Sequence, residues 1–147
     1  MTYLAFYRHK QRVRSWRTFK DRFIDDATRL FTRGPYSHCE LAILQPDGRY
    51  LCYSASIRDN GVRSRLMELP ESHWDLIPVT EKSYQISRYF SKTQQKRYDL
   101  PGALGLFLPF KQRGNRFFCS EWCWQAIGGE QGWRFSPNQL AKIAKLL

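Results

Sequence analysis

The 147-residue chain is poor in acidic residues, and it lacks any apolar run long enough to span a bilayer. It contains 13 Asp and Glu residues against 24 Lys and Arg, which gives a formal net charge of +11. The opening segment "MTYLAFY" does not have the pattern of a signal peptide. These absences argue against a membrane-spanning or exported protein, so we expect a protein that stays in the cytoplasm.

Cysteine is also scarce, with residues at 39, 52, 119 and 123. The composition is 42% hydrophobic and 16% aromatic, which is enough to build a core without disulfide bonds. A reducing compartment therefore fits these thiols better than a secreted, disulfide-linked scaffold. The C-x3-C spacing of Cys119 and Cys123 does not match a paired zinc hairpin, so the sequence predicts no metal and no cofactor.

The basic residues are concentrated before Gly34, where Asp21, Asp25 and Asp26 are the acidic residues. Such a segment can attract an anionic surface, either a membrane or a nucleic acid, or it can simply be a solvated helix face. No zinc-finger spacing, aromatic RNA-binding pattern or clear helix-turn-helix accompanies this charge. The charge alone therefore leaves both interpretations open.

The hydrophobic pattern predicts one domain over residues 1–147 with an α+β fold, an antiparallel sheet with helices packed on it. The predicted strands are "TYLAFYR", "SHCELAIL", "YLCYSASI", a short strand after Asn60-Gly61, and "WDLIPV". The predicted helices are an amphipathic basic helix from Arg14 to Phe31, a polar helix over 81–97, a helix from near Pro101, one from Cys119 to the Gly128-Gly129 pair, and one that Ser136 and Pro137 begin.

Cys119, in the stretch "NRFFCSEWCWQAI", stands where the last but one of these helices begins. The first N–H groups of a helix are unpaired, and they lower the pKa of a thiol placed beside them. Cys119 could therefore be a nucleophile, a metal ligand, or a small apolar residue of the core. Cys123 lies one helical turn later and is expected to pack into the core.

A nucleophilic thiol needs a base, and the chain offers three histidines. His9 lies in a basic turn and His73 in a loop, where surface roles are expected. His38 begins the strand "SHCELAIL" and shares one face of it with Glu40, whereas Cys39 points to the opposite face. His38 could be the base, or it could be a structural residue held by hydrogen bonds.

Three segments of the chain, "PYSHCELAIL", "RYDLPGALG" and "FFCSEWC", occur in an order that resembles a known family. They are similar to the circularly permuted branch of the NlpC-type papain-like hydrolases, in particular the YiiX/YebB-like group, and more distantly to the lecithin retinol acyltransferase-like enzymes. The chain also resembles small uncharacterised proteins of tailed phages and prophages. The resemblance implies a permuted papain-like fold in which the histidine strand precedes the cysteine helix.

The resemblance also implies roles for individual residues. Cys119 would be the nucleophile, His38 its base, and Tyr98 a residue that lines the substrate site, although Tyr98 and Asp99 could equally form a helix-entry turn. The third, histidine-orienting residue differs from the family pattern. The next strand offers only Tyr53, Ser54 or Ser56, and Glu40 on the strand of His38 is the other candidate.

The function implied is that of a cysteine-dependent hydrolase or acyltransferase acting on an acyl, peptide or amide substrate: an amidase, a peptidase or a lipid acyl hydrolase. It would work in the cytoplasm of a bacterium or of a phage-infected cell. The alternative is a non-catalytic binding protein, or a virion-associated one, on the same scaffold. Nucleic-acid binding through the basic N-terminal segment is a third possibility, and it predicts steeply salt-dependent binding.

Overall fold

A computed structural model describes residues 1–9, 26, 28–30, 32–99, 116–131 and 135–146 of the chain. Its strands are β1 (Thr2–Tyr7), β2 (His38–Leu44), β3 (Tyr50–Ser56), β4 (Gly61–Met67), β5 (Trp74–Val79), β6 (Arg97–Tyr98) and β7 (Arg116–Phe117). Its helices with defined bounds are α1 (Ser83–Thr93), α2 (Cys119–Ala126) and α3 (Pro137–Ala144).

The strands form one sheet in the order β5-β1-β2-β3-β4-β6-β7. Neighbouring strands are antiparallel except for β6 and β7, which are parallel. The register places Tyr7 opposite His38 and Ser54 opposite Arg63. β2 therefore lies near the middle of the sheet, with β1 on one side of it and β3 on the other.

Two tight turns fix the register of the central hairpins. Between β2 and β3, the Gln45 N–H donates to the Arg49 carbonyl at 2.8 Å, and Gly48 adopts a positive φ of 83° that favours glycine. Between β3 and β4, Asn60 has a φ of 54°, a conformation that asparagine tolerates better than most residues. These turns carry the Pro-Asp-Gly and Asn-Gly signals that predict hairpins from the sequence.

The two faces of the sheet are packed differently. One face is covered by α1, α2 and α3 and carries the main core, with Leu4, Phe6, Cys39, Leu41, Tyr53, Ala55 and Val62 from the strands. The opposite face carries a smaller cluster, formed by Ala5, Ala42, Cys52, Leu69 and Trp74. Helix α2 packs directly on β2 and β3, so the beginning of α2 lies near the middle of the sheet.

Side chains from α1 and the residue before it hold α2 in place. The buried Trp122 indole N–H donates to the Thr93 hydroxyl at 2.9 Å. The Tyr89 hydroxyl donates to the Gln125 side-chain oxygen at 2.7 Å, and the Lys82 ammonium donates to the Ile127 carbonyl at 2.6 Å. Each such bond contributes on the order of 1 kcal/mol, and together they fix how α2 is placed on the sheet.

The α+β architecture is confirmed, as are the five longer strands and the helices at Cys119 and Pro137. Ser136 begins α3 with a full capping box, as its sequence predicts. The predicted helix over 81–97 is too long: α1 ends at Thr93, and Arg97 lies in β6, a strand that pairs with Gly61.

Two further predictions fall mainly on undescribed residues. Of the helix predicted from Arg14 to Phe31, positions 26 and 28–30 are described and are helical, and the rest lies outside the described residues. The helix predicted from near Pro101 lies outside them entirely. Among the helices that the structure describes, none is both long and apolar enough to cross a membrane.

Candidate active site

The chain that leads into β2 is held by side chains from two distant segments. Asn138 of α3 accepts from the Tyr36 N–H at 2.9 Å and donates to the Tyr36 carbonyl at 2.8 Å. The buried Arg29 guanidinium donates to the Pro35 carbonyl at 2.8 Å and to the Ser37 hydroxyl at 3.1 Å. His38 follows directly, so its backbone position is fixed before the strand begins.

His38, Glu40 and Arg63 form a continuous polar chain on the sheet. His38 Nε2 lies 3.3 Å from Glu40 Oε1. The Arg63 guanidinium donates two bonds to the same carboxylate, at 2.7 Å to Oε2 and 2.6 Å to Oε1. Glu40 is only 1% exposed, and this two-pronged pairing satisfies a carboxylate that would otherwise be costly to bury.

Cys119 is the first residue of α2 and is 5% exposed. Phe118 precedes it in an extended conformation and caps the helix without a side-chain hydrogen bond. The first bond within the helix runs from the Trp122 N–H to the Phe118 carbonyl, which leaves the preceding N–H groups outside the helical pattern. The start of α2 therefore leaves backbone donors at Cys119 and the next residues, and such donors can stabilise negative charge.

The Cys119 thiol and the His38 ring are close enough for each to change the pKa of the other. Burial alone would lower the pKa of His38, but the Cys119 charge and hydrogen bonds to Cys119 and Glu40 raise it to about 10. Because Nε2 of the ring faces Glu40, Nδ1 is the nitrogen left for the thiol. These two pKa shifts favour a thiolate beside an imidazolium at neutral pH.

Cys39 is a second thiol in contact with Cys119. A hydrogen bond from the Cys39 side chain is the largest cause that lowers the pKa of Cys119 well below its ordinary value, against the opposing effect of burial and together with the nearby His38 charge. Burial and its neighbours Cys119 and Cys123 raise the pKa of Cys39 well above its usual range, so Cys39 stays a neutral donor. Cys123 is fully buried in the core, as predicted, with its thiol 3.7 Å from the Cys39 carbonyl oxygen.

The charge of Glu40 is equally well defined. Burial would raise the pKa of this carboxyl, but hydrogen bonds and charge from Arg63 and His38 lower it to about 2. Burial would lower the pKa of Arg63, but hydrogen bonds and charge from Glu40 and Asp59 raise it further above its ordinary value. Glu40 is therefore ionised at every physiological pH, and it favours the protonated form of His38.

A cavity of about 270 Å³ borders this polar chain. His38, Glu40 and Arg63 contribute to its wall, and Tyr7 and Tyr98 line it as well. Among the described residues, His38 is the member of the cysteine–histidine pair that faces this space. Tyr98, predicted from the resemblance as a substrate-lining residue, thus lies at the cavity that adjoins the predicted base.

The other candidates for the histidine-orienting residue interact with groups other than the His38 ring. The Ser54 hydroxyl donates to the Cys39 carbonyl at 2.8 Å. Tyr53 packs in the main core against Trp122, and Ser56 bonds to the Asp59 carboxylate. Of the residues proposed for the third position, the structure brings Glu40 to the histidine.

Asp99, which follows Tyr98, is 3% exposed, and its Oδ1 atom has no hydrogen-bond partner within the described part of the chain. Its backbone N–H donates to the Phe117 carbonyl at 2.9 Å, which joins the end of β6 to β7. The remaining histidines stack on each other, with the ring centroids of His9 and His73 3.8 Å apart. No group of three or more His, Cys, Asp or Glu side chains among the residues described could hold a metal ion.

Two members of the site were missed from the sequence. Arg63 lies two strands away from Glu40, so its role depends on two long side chains that meet across β3, which the pattern of a single strand does not show. The one available signal was that a carboxylate within an apolar strand needs a cationic partner. Cys39 faces the core, as expected, but its contact with Cys119 depends on where α2 packs on β2.

No protein-family model matches the chain, and comparisons with curated proteins and with solved structures likewise found no match. A function for this chain is therefore inferred from the geometry of the site and from the resemblance of its short segments.

Proposed function

We propose that the protein is a cysteine-dependent hydrolase or acyltransferase in which Cys119 is the nucleophile and His38 its base. The observation that carries this proposal is the placement of Cys119 at the first position of α2 beside His38, whose ring contacts Glu40 at 3.3 Å. In keeping with that placement, the two groups lower the pKa of Cys119 and raise that of His38 to about 10. A thiolate at a helix N-terminus, paired with an imidazolium, is the activated form of a cysteine nucleophile.

Glu40 is proposed as the residue that orients the histidine. Its carboxylate contacts Nε2 of His38, which leaves the other ring nitrogen for the thiol. Arg63 in turn fixes the carboxylate through two bonds, so the ring is held by a rigid support and not by a mobile surface acid. Together, Cys119, His38 and Glu40 would supply the nucleophile, the base and the orienting group that acyl transfer requires.

The reaction begins when the Cys119 thiolate attacks the carbonyl carbon of an amide, ester or thioester. Backbone N–H groups at the start of α2 stabilise the oxyanion, each such donor being worth about 3 kcal/mol. The His38 imidazolium then gives its proton to the leaving amine, alcohol or thiol, and an acyl thioester remains on Cys119. Water, or another acceptor, gives a proton to His38 and displaces the acyl group, which restores the thiolate.

A permuted papain-like fold is part of the same proposal. It is supported by an antiparallel sheet with helices on one face, by a histidine on a strand, and by a cysteine that opens a helix packed on that strand. The histidine precedes the cysteine in the chain, as the permuted branch requires. We place the protein in the cytoplasm of a bacterium or of a phage-infected cell, where the thiols would stay reduced.

The test is the rate of iodoacetamide labelling at each cysteine, followed by mass spectrometry between pH 5 and 9. We expect Cys119 to label fastest below pH 7, because it alone is a thiolate there, and we expect His38→Ala to abolish that advantage. His73→Ala is the matched control, since the His73 ring stacks on His9. A panel of activated esters, thioesters and peptide amides, with detection of an acyl adduct on Cys119, then identifies the substrate class.

Equal labelling of all four cysteines in the folded protein would argue against the proposal, as would a Cys119 rate that does not depend on His38. The scaffold would then be one used for binding, and the non-catalytic alternative would stand. An acyl adduct that forms on Cys119 and is lost in Cys119→Ser supports catalysis directly.

A further inference from the structure

A second cavity, of about 290 Å³, lies at the edge of the sheet that leads to α2. It is lined by Gln95, Lys96, Arg97 and Arg116, all of them polar. Three of these side chains are cations and the fourth is an amide that can donate two hydrogen bonds. None of these four residues is part of the proposed catalytic site formed by Cys119, His38 and Glu40.

The two arginines are placed side by side by the sheet. Arg97 of β6 and Arg116 of β7 are direct partners in the parallel ladder. Residues paired in this way project to the same face, with their Cβ atoms about 5 Å apart. Lys96, which precedes Arg97, is the third cation that lines the cavity, and its ammonium lies 5.3 Å from the centre of the Phe117 ring.

Like charges directly opposite one another on neighbouring strands are destabilising unless something compensates them. Elsewhere in the described chain, arginines on the sheet have carboxylate partners: Arg63 pairs with Glu40 and Asp59, and Arg65 pairs with Asp59. In the described part of the molecule, neither Arg97 nor Arg116 has an ion pair with a carboxylate. The two guanidinium groups therefore stand side by side at the cavity with no carboxylate from the described residues to neutralise them.

We propose that this cavity binds the phosphoryl group of a small ligand. Arginine presents a planar fork of donors that matches phosphate oxygens, and two forks on one face can hold a tetrahedral anion from two directions. A volume near 290 Å³ is at the small end of ligand pockets, so it suits a phosphate or pyrophosphate group and not a polymer. Because Arg116 is three residues before Cys119, the anion is held on the approach to α2.

Titration calorimetry with inorganic phosphate and with inorganic pyrophosphate tests the site, with sodium chloride added to keep the ionic strength constant. We expect saturable binding that weakens about tenfold or more in Arg97→Gln/Arg116→Gln, because charge-assisted hydrogen bonds are lost. The matched control is Arg49→Gln/Lys142→Gln, which removes the same net charge from exposed positions outside the cavity. That variant should bind within about twofold of the unmodified protein, because these charges are distant and screened by salt.

Chemical shifts of the arginine Nε–Hε groups, recorded in the unmodified protein, provide a second readout. Phosphate should shift the signals that disappear in Arg97→Gln and in Arg116→Gln. Cys119→Ser should bind phosphate as the unmodified protein does, so this site can fail or succeed independently of the proposed catalysis.

Equal losses in the two double variants would overturn the proposal, because general charge would then explain the binding. Binding that does not saturate would overturn it as well. Vesicles of phosphatidylcholine with phosphatidic acid distinguish the binding of a lipid headgroup from the binding of a soluble ligand. If the vesicles bind and neither phosphate nor pyrophosphate does, the proposal of a small-ligand site is wrong.

Discussion

Glu40 on β2 and Arg63 on β4 are bound to each other by two hydrogen bonds, of 2.6 and 2.7 Å, although β3 lies between their strands. Both side chains project to the face of the sheet opposite α2, and both are largely removed from water, with side chains 2% and 16% exposed. The pair connects the predicted base to the frame of the sheet, because the same carboxylate contacts His38.

Removing Arg63 should destabilise the fold more than removing both members of its pair. In Arg63→Leu the buried Glu40 carboxylate loses its main partner, and we expect a loss of about 3–5 kcal/mol in the free energy of unfolding. In Glu40→Gln/Arg63→Leu no buried charge is left uncompensated, so part of that loss should be recovered. Urea denaturation at pH 7 measures both.

Arg65→Leu is the control for that comparison, since Arg65 pairs with Asp59 at an exposed position and should cost about 1 kcal/mol or less. If the double variant is less stable than Arg63→Leu, the pair is not acting as a compensated buried charge.

The titration of His38 should depend on both of its neighbours. The pKa of His38 is raised to about 10 by Cys119 and, to a smaller extent, by Glu40. In Cys119→Ala it should fall by more than in Glu40→Gln, and both values should lie below that of the unmodified protein. The pH dependence of the His38 ring proton signals in NMR spectra measures each value.

The same shift predicts how stability depends on pH. The folded pair binds one proton, on His38, whereas in the unfolded chain a histidine with a pKa of 6.5 and a thiol with a pKa of 9.0 bind two protons below pH 6.5 and one between these values. The difference in free energy of unfolding between the unmodified protein and His38→Gln should therefore stay nearly constant between pH 6.5 and 9 and shrink below pH 6.5, where the unfolded histidine is protonated as well. A difference that instead shrinks steadily as the pH rises from 6.5 to 9 would contradict the thiolate–imidazolium pair.

The elements that the sequence predicted well are those with strong local signals. The alternation in "SHCELAIL" predicted both the strand and the shared face of His38 and Glu40, and Ser136-Pro137 predicted the start of α3. The beginning of α2 at Cys119 follows from the same kind of local pattern. These features depend on residues within a few positions of one another, which is why a single sequence could predict them.

The features that were missed depend on contacts between distant segments. β6 and β7 are each two residues long, so no alternation could reveal them. The support of Tyr36 by Asn138 joins residues 102 positions apart. Glu40 as the partner of His38 was one candidate among several, and neighbours two apart on a strand seldom meet. Here they do meet, because the Arg63 pairing holds the Glu40 carboxylate in place, and Glu40 Oε1 lies 3.3 Å from Nε2 of the His38 ring.

Cys39 should control the reactivity of Cys119 through a hydrogen bond. Cys39→Ala removes the donor that most lowers the pKa of Cys119, so the thiol should require a higher pH to react with iodoacetamide. Cys39→Ser retains a hydroxyl donor and should keep most of the effect. Cys52→Ala is the control, because Cys52 is buried on the opposite face of the sheet. Identical labelling profiles for the alanine and serine variants would show that the Cys39 side chain acts only by packing.

Trp122 should matter for stability because it joins α2 to α1. In Trp122→Phe the indole N–H that donates to Thr93 is lost and a fully buried ring becomes smaller, so we expect a loss of about 2–4 kcal/mol in the free energy of unfolding. Trp124→Phe is the control, because it makes the same chemical change where the indole N–H donates to the Glu130 carbonyl at an exposed position. This variant should lose about 1 kcal/mol or less in the free energy of unfolding. Urea denaturation compares the two directly. If Trp124→Phe proves as costly as Trp122→Phe, the bond to Thr93 is not what fixes α2 against α1. Cys119 would then owe its position to the packing of α2 on β2 and β3 alone.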